Sequence, residues 1–306
     1  MIILAWLFPQ VGIYEGKINL ELITDIGITL IFFFYGLKLS PKQMKEGLSN
    51  YRLHLLVQLA TFVLFPLLVI GFLPLIKTEE QHMIWLAMFF LAALPSTVSS
   101  SVVMVVLAKG NMAGAIFNAS ISGLIGVVVT PLWIGLFWQA EGVAFDFTSV
   151  FLSLFLKILL PVILGLALHR YLGSFAKQNL KALALFDKII ILLIVYKSFS
   201  KSFTTGLFDK ISFFDLMLIG LSVFVLFVLV YFLIGLISNL LHFNREDRIT
   251  ALFCGSKKSL VHGTVFSKVL FQNVAGQGLF LVPIMIYHSL QLIVVSFIAT
   301  RKGDSQ

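Results

Sequence analysis

Ten runs of apolar residues, near 1–13, 19–39, 53–76, 83–108, 112–138, 148–169, 182–203, 213–241, 248–272 and 277–300, leave little of the chain outside them. About 20 apolar residues span a bilayer core as a helix, and a helix satisfies its own backbone groups where no water is available. The first run is too short to cross alone; the others reach or approach that length. Charged residues make up 12% of the chain, against about 25% in a soluble domain. The pattern predicts an all-α polytopic membrane protein of ten transmembrane helices, with 1–306 as a single membrane domain. The joining loops are too short to hold a soluble domain. The N-terminal Met-Ile-Ile-Leu-Ala-Trp lacks the basic region and cleavage site of a signal peptide, and reads as part of the first segment.

The net charge of +8 needs no nucleic acid to explain it, because basic residues collect in cytoplasmic loops. Loops after even-numbered segments, with the C-terminal tail, carry Lys42, Lys45, Arg52, Lys109, Arg170, Lys177, Lys181, Arg245, Arg248, Arg301 and Lys302. The other side carries Lys17, Lys77, Lys201 and Lys210. The asymmetry places both termini in the cytoplasm, in a bacterial inner membrane surrounded by lipid. The lone Cys254 excludes an internal disulfide and a cysteine-based metal cluster, and no cofactor is expected.

A weak internal repeat is present. Leu7-Phe8-Pro9 recurs as Leu159-Leu160-Pro161, Thr130-Pro131-Leu132 as Val282-Pro283-Ile284, and Asp25 with Tyr35 as Asp187 with Tyr196. Five helices duplicated must insert in opposite senses, five being odd. The expectation is therefore two inverted repeats, 1–139 and 148–303, as in secondary transporters.

Two polar breaks interrupt the fourth and ninth segments. One is Pro95-Ser-Thr-Val-Ser-Ser-Ser101; the other contains Gly255-Ser256-Lys257-Lys258-Ser259. Two interrupted segments at corresponding places in two halves point to a transporter's binding site, with helices 4 and 9 broken and crossing. The candidate ligands in the first break are Ser96, Thr97, Ser99, Ser100 and Ser101. A serine in a membrane helix also simply allows close packing. In the fifth segment Gly114, Ser122 and Gly126 read as a packing stripe, while Asn118 and Ser120 remain candidates, as does Gln58 in the third. Asn118 and Gln58 serve either as interhelical glue or as ligand contacts. In the ninth segment the candidates are Ser256, Lys257, Lys258, Ser259 and His262. Two lysines at membrane depth cost several kcal/mol, about 2.5–3.5 each on lenient scales, so they must face protein, water or a ligand. No Asp or Glu lies in the third, fourth, fifth, ninth or tenth segments. A substrate anion or the carbonyls of a broken helix must then serve as partner. Lys157 and Lys188 lie close enough to helix ends to snorkel.

Leu7-Phe8-Pro9, Phe34-Tyr35-Gly36-Leu37-Lys38-Leu39, the break at Pro95–Ser101 and the following Leu107-Ala108-Lys109-Gly110-Asn111 together resemble the bile acid:sodium symporter family along nearly the whole chain. The resemblance implies ten helices in two inverted halves, crossing at broken helices 4 and 9. It also implies two sodium sites there. Ser100 and Ser101 fall at the family's helix 4 pair, Ala115 and Ala119 at its helix 5 hydroxyls beside Asn118 and Ser120, and Gln58 at its helix 3 glutamine. The family's Glu-x-Gly-x-Gln-Asn run aligns with Phe253-Cys254-Gly255-Ser256-Lys257-Lys258. Its acid has become Phe253 and its amide pair two lysines, so the sequence resembles a divergent subgroup without the usual helix 9 motif.

The expected function is secondary active transport of a small organic anion, sodium-independent, with proton coupling as one route. The alternatives are a transport-inactive sensor and an intramembrane Ser-Lys hydrolase. The hydrolase lacks a G-x-S-x-G elbow and has no use for an inverted repeat, so no catalytic residue is assigned.

Overall fold

The computed structural model describes residues 1–13, 19–39, 47–138, 146–206, 212–271, 274 and 276–304, with nothing said of the side chain of Ser99. Lys17, Lys42, Lys45 and Lys210, which enter the orientation argument, lie outside the described residues. The described residues are helical throughout their regular structure. In chain order the α-helices are α1 (Ile2–Leu7), α2 (Pro9–Ile13), α3 (Leu20–Lys38), α4 (Tyr51–Leu59), α5 (Phe65–Ile70), α6 (Glu79–Ala93), α7 (Ser99–Leu107) and α8 (Met112–Phe137). They continue as α9 (Phe147–Leu154), α10 (Leu160–Ala167), α11 (His169–Gln178), α12 (Leu180–Thr204), α13 (Phe213–Leu240), α14 (Arg245–Gly255), α15 (Leu260–Leu270) and α16 (Leu281–Asp304).

Six helical segments among the described residues are long and apolar enough to cross a membrane: Leu20–Lys38, Tyr51–Leu75, Met112–Phe137, Phe147–Ala167, Phe213–Leu240 and Gln277–Lys302. The other expected spans differ for visible reasons. The first is divided at Phe8, before a proline that cannot donate. The fourth and ninth are divided at their polar breaks. The seventh, α12, is long but carries Lys181, Asp187, Lys188, Lys197 and Lys201. One helix was not expected: α11 occupies what reads as a basic loop, with only Gly173 and Ala176 buried.

The chain forms two compact units, and each draws on both halves of the sequence. The first comprises Met1–Pro41, Ala140–Asp215 and Gly263–Leu281; the second comprises Lys42–Gln139, Leu216–His262 and Val282–Gln306. Pro9 opens α2 and Pro161 stands second in α10, so that repeat pair occupies similar places. Pro131 lies deep inside α8 whereas Pro283 is the third residue of α16, so the Thr130–Leu132 match does not mark equivalent positions.

Within the first unit α3 and α10 touch backbone to backbone. A Cβ on Gly36 would strike the Val162 carbonyl, and one on Gly165 the Phe33 carbonyl. Its charges neutralise one another. Lys268, at the end of α15, donates to Asp25 Oδ1 and Thr24 Oγ1, each at 2.6 Å, and pairs with Glu21 Oε1 at 3.0 Å. Lys157 reaches the other oxygen of Asp25 at 3.0 Å, and Lys197 pairs with Glu21. Lys157 stands in a π-helical turn, Phe155–Leu159, and finds a carboxylate.

In the second unit the N-termini of α4, α8 and α14 meet at one carboxylate. Asn50 and Asn111 cap their helices through Oδ1 and donate their amides to Asp247, at 2.7 and 2.8 Å. Asp247 is itself in the first turn of α14, capped by Asn244. Helices α7 and α13 both end with a left-handed residue that is not glycine, Lys109 and His242, each at φ 54°. In each, the following amide bonds the carbonyl five residues back, Gly110 to Val105 and Phe243 to Ser238. This is a Schellman closure, and a side chain at its left-handed position costs on the order of 1 kcal/mol relative to glycine.

Lys268→Met is expected to lower stability by about 1–3 kcal/mol, because Asp25 and Glu21 are part-exposed and the full cost of breaking a buried pair does not apply. The same change in an Asp25→Asn background should cost markedly less. Thermal unfolding of the four variants in detergent checks this; purely additive losses would contradict the network.

Candidate functional site

The two breaks lie in the second unit, and they meet. The first runs from Leu94 to Val98, with helix resuming at Ser99, so it is shorter than the Pro95–Ser101 stretch expected to unwind. The second is the four-residue gap between α14 and α15, Ser256 to Ser259. Each break supplies partners to the other. Ser96 Oγ donates to the Cys254 carbonyl at 2.5 Å, and the Ser259 amide to the Pro95 carbonyl at 2.9 Å.

A broken helix in lipid must place every freed backbone group, because each one left unmade costs about 1–3 kcal/mol or more. Here the neighbouring helices take them one by one. The Ser96 amide donates to Ser122 Oγ at 3.0 Å, and Thr130 Oγ1 donates to the Ala93 carbonyl at 2.8 Å. Tyr287 donates to the Ser256 carbonyl at 2.6 Å. Gln291 accepts from the Lys258 amide and donates to the Lys258 carbonyl, both at 2.9 Å, a side-chain substitute for the missing helical bonds. Gly126 lets α8 come against the break: a Cβ there would lie 2.8 Å from Pro95 Cγ.

The two lysines have separate surroundings. Lys258 is fully buried and donates to three carbonyls, Thr61 at 2.7 Å, Ala92 at 2.6 Å and Leu94 at 2.8 Å, with its ammonium 4.1 Å from the Phe65 ring centre. An ammonium has three donors, and all are used. The Thr61 carbonyl is available for a local reason. In the π-helical turn Ala60–Leu64 the Phe65 amide bonds Ala60, and the next residue, Pro66, has no amide. The same proline frees the Phe62 carbonyl, which accepts from Trp133 Nε1 at 2.8 Å. Lys257, also fully buried, donates to one carbonyl among the described residues, Ser100 at 2.8 Å. That leaves two of its donor directions for another acceptor.

The remaining candidates fall into smaller groups. Thr97 Oγ1 bonds both Ser100 Oγ and Ser101 Oγ at 2.8 Å, which gathers three hydroxyls at the start of α7. Ser259 caps α15, accepting the His262 amide at 3.3 Å and bonding His262 Nδ1 at 2.9 Å. Ser256 and Ser120 bond back into their own helices, to Leu252 and Ile116. Gln58 Nε2 donates to Asn118 Oδ1 at 3.1 Å, and Asn118 Nδ2 bonds the Gly114 carbonyl and His54 Nδ1, each at 2.9 Å. The Gly114 carbonyl fixes which end of the Asn118 amide faces His54. His54 Nδ1 is therefore an acceptor, and Nε2 donates to the Gly47 carbonyl at 2.6 Å. Gln58 Oε1 is buried with no partner among the described residues. The described residues hold no group of three His, Cys, Asp or Glu able to bind a metal.

Sequence reasoning missed Thr61, Tyr287 and Gln291, and read Ser122 only as a packing residue and Thr130 only as part of a repeat; all five are fully buried around the breaks. Gln291, a lone amide in an apolar run, carried the same kind of signal as Gln58 and Asn118. Gln291→Leu removes the partners of two buried backbone groups at once and should cost roughly 2–5 kcal/mol. The single thiol, Cys254, is buried beside the break. Its labelling by a thiol-reactive dye on heating should begin at lower temperature in Gln291→Leu, and an unchanged labelling curve would contradict the role given to Gln291.

Comparison with known proteins identifies the family. Residues 1–303 match the profile of the SBF-like CPA transporter family. An uncharacterised protein of Pseudomonas aeruginosa is 37% identical over 98% of this chain and 89% of its own length. The putative symporter YfeH of Escherichia coli is 35% identical over 98% of this chain and 90% of its own. Sodium/bile acid cotransporter 7-A of Xenopus laevis is 31% identical over 95% of this chain and 86% of its own. The chain is a multi-pass membrane protein belonging to the SBF-like CPA transporter family, a family of transporters related to the sodium/bile acid cotransporters.

Proposed function

We propose that the protein is a secondary transporter of a small organic anion, working by alternating access without a requirement for sodium. The observation that carries this reading is the Lys258 ammonium, held by three backbone carbonyls at the meeting of the two breaks. Oxygen atoms around a monovalent cation are what a sodium site offers. Here the cation is covalently part of the chain. A sodium ion brought to about 4 Å from such an ammonium meets a repulsion on the order of 4 kcal/mol at an effective dielectric near 20, worth about a thousandfold in affinity. The names of the relatives point to sodium coupling for those proteins; the lysines argue against it for this chain.

Lys257 is the substrate-facing partner in this reading. Among the described residues it has one acceptor, the Ser100 carbonyl, and it lies with Thr97, Ser100 and Ser101 beside the start of α7. An ammonium, hydroxyls and a helix N-terminus suit a carboxylate, sulfonate or phosphate group. The two-unit division supports an architecture of two inverted five-helix halves. The first unit takes the first two and the sixth and seventh segments, and the second takes the third to fifth with the eighth and tenth and the first part of the ninth, so that corresponding segments of the two halves are largely grouped together. With the excess of basic residues on one side, the reading places both termini in the cytoplasm of a bacterial inner membrane. Protons remain the available coupling ion.

Uptake of labelled organic anions into proteoliposomes tests this reading, with sodium titrated at fixed pH. Wild type should accumulate substrate equally well with and without sodium. Lys258→Gln should be less stable, and sodium should restore part of that loss by entering the carbonyl ring; sodium dependence should also arise in Lys257→Gln with Phe253→Glu. A saturable sodium requirement in the wild type would falsify the coupling claim, and binding without accumulation would indicate a sensor instead.

A further inference from the structure

A groove of about 760 Å³ runs along the apolar flank of the second unit, lined in part by the π-helical turn whose Thr61 carbonyl meets Lys258. One wall is a continuous face of α4 and α5, including Leu55, Leu59, Val63 and Leu67; the other is the end of α13 with Ile237 and Leu240. Both walls belong to segments long and apolar enough to cross a membrane. Leu55 is 57% exposed and Leu240 69% exposed, so no other part of the described chain covers them. From Arg52 to Leu67 the wall rises about 22 Å at 1.5 Å per residue, which exceeds the roughly 15 Å depth of one hydrocarbon leaflet.

The groove is not uniformly apolar. Arg52 and His242 both line it; Arg52 stands in the first turn of α4, and Asn50 at its N-cap bonds Asp247, five residues after His242, which brings the two to one end. The Arg52 guanidinium is exposed and, among the described residues, meets the neighbouring Tyr51, through the hydroxyl at 3.3 Å and the ring at 5.9 Å. Tyr51 is itself 67% exposed at the start of the span, the place of an interfacial aromatic. His242 closes α13 in the left-handed conformation where glycine fits without strain. A side chain kept at a strained position invites a functional reason. Arg245 and Arg248 follow within six residues of His242. Of the two carboxylates there, Asp247 is already engaged by Asn50 and Asn111, which leaves Glu246 as the local counter-charge.

We propose that this groove holds one anionic glycerophospholipid, with an acyl chain along Leu59 and Val63 and the phosphate between Arg52 and His242. An apolar trough at membrane depth with the Arg52 guanidinium and the His242 ring at one end matches that amphiphile in shape, charge and hydrogen bonding. A zwitterionic lipid matches the trough but not the cationic end. A second copy related by a two-fold axis along the membrane normal would bring its own Arg52 to the same depth, like charge against like.

The test is native mass spectrometry of the full chain in detergent, with dioleoyl phosphatidylglycerol and dioleoyl phosphatidylcholine offered in competition. Wild type should retain one phosphatidylglycerol per chain with about a tenfold preference over phosphatidylcholine. Arg52→Gln with His242→Gly removes the guanidinium and the imidazole and relieves the strained turn. It should fold at least as well as wild type yet lose the preference. Val63→Trp fills the trough and should lose retention of both lipids while keeping Arg52 and His242. Equal retention of the two lipids by wild type, an undiminished preference in the double variant, or a dimer cross-linked through Leu59 and Val63 overturns the proposal.

Discussion

The meeting of the two breaks depends on one ammonium. Three carbonyls from α6, from the strand of chain after it and from the π-helical turn before α5 converge on Lys258. In water those carbonyls would find solvent; in lipid they have no alternative. The lysine and the carbonyls each solve the other's problem. An unpaired ammonium at this depth costs several kcal/mol, and so does each group of unpaired carbonyls. The arrangement begins in local chemistry, because Pro66 removes one amide and the π-helical turn diverts another, which opens Thr61 to the incoming cation.

The protein neutralises its deep lysines in two different ways. Lys268 and Lys157 share Asp25, and Lys268 and Lys197 share Glu21, so the first unit uses formal charge. The second unit uses dipoles. Carbonyl oxygens carry no proton and no net charge, so a cation held by them keeps a net positive field at the site. A carboxylate partner would cancel it. On the proposed transport reading, the difference decides whether the site attracts an anionic substrate or ignores it.

How much of this was legible in the sequence follows from what each feature depends on. The apolar runs and the two polar breaks depend on local composition, and they lie in the structure close to where the residues suggest. The end of the first break was misplaced because Ser99, Ser100 and Ser101 are hydroxyl residues that also sit comfortably in a helix's first turn. Helix α11 was missed because a basic amphipathic stretch reads like a loop when only long apolar runs are sought. The Thr130–Leu132 repeat match failed because a three-residue pattern around proline does not record its place within a helix. Lys268 was overlooked although it sits in the same segment as the lysine pair. Its partners, Glu21 and Asp25, lie more than two hundred residues away in sequence, and only the fold brings them together.

Lys257 and Lys258 are neighbours in the non-helical gap between α14 and α15, yet their partners differ. One is saturated by acceptors from two other segments and cannot leave without stranding them. The other has a single described carbonyl and donors to spare. On the proposed transport reading, a movement that parted α6 and the π-helical turn from α14 would expose a cation and three carbonyls to lipid together. The segments bound through Lys258 therefore travel as one piece, and the change of access has to occur around them. Lys257 then rides on a rigid mount, which keeps its charge and the hydroxyls of Thr97, Ser100 and Ser101 in fixed register while the path to them opens from one side or the other.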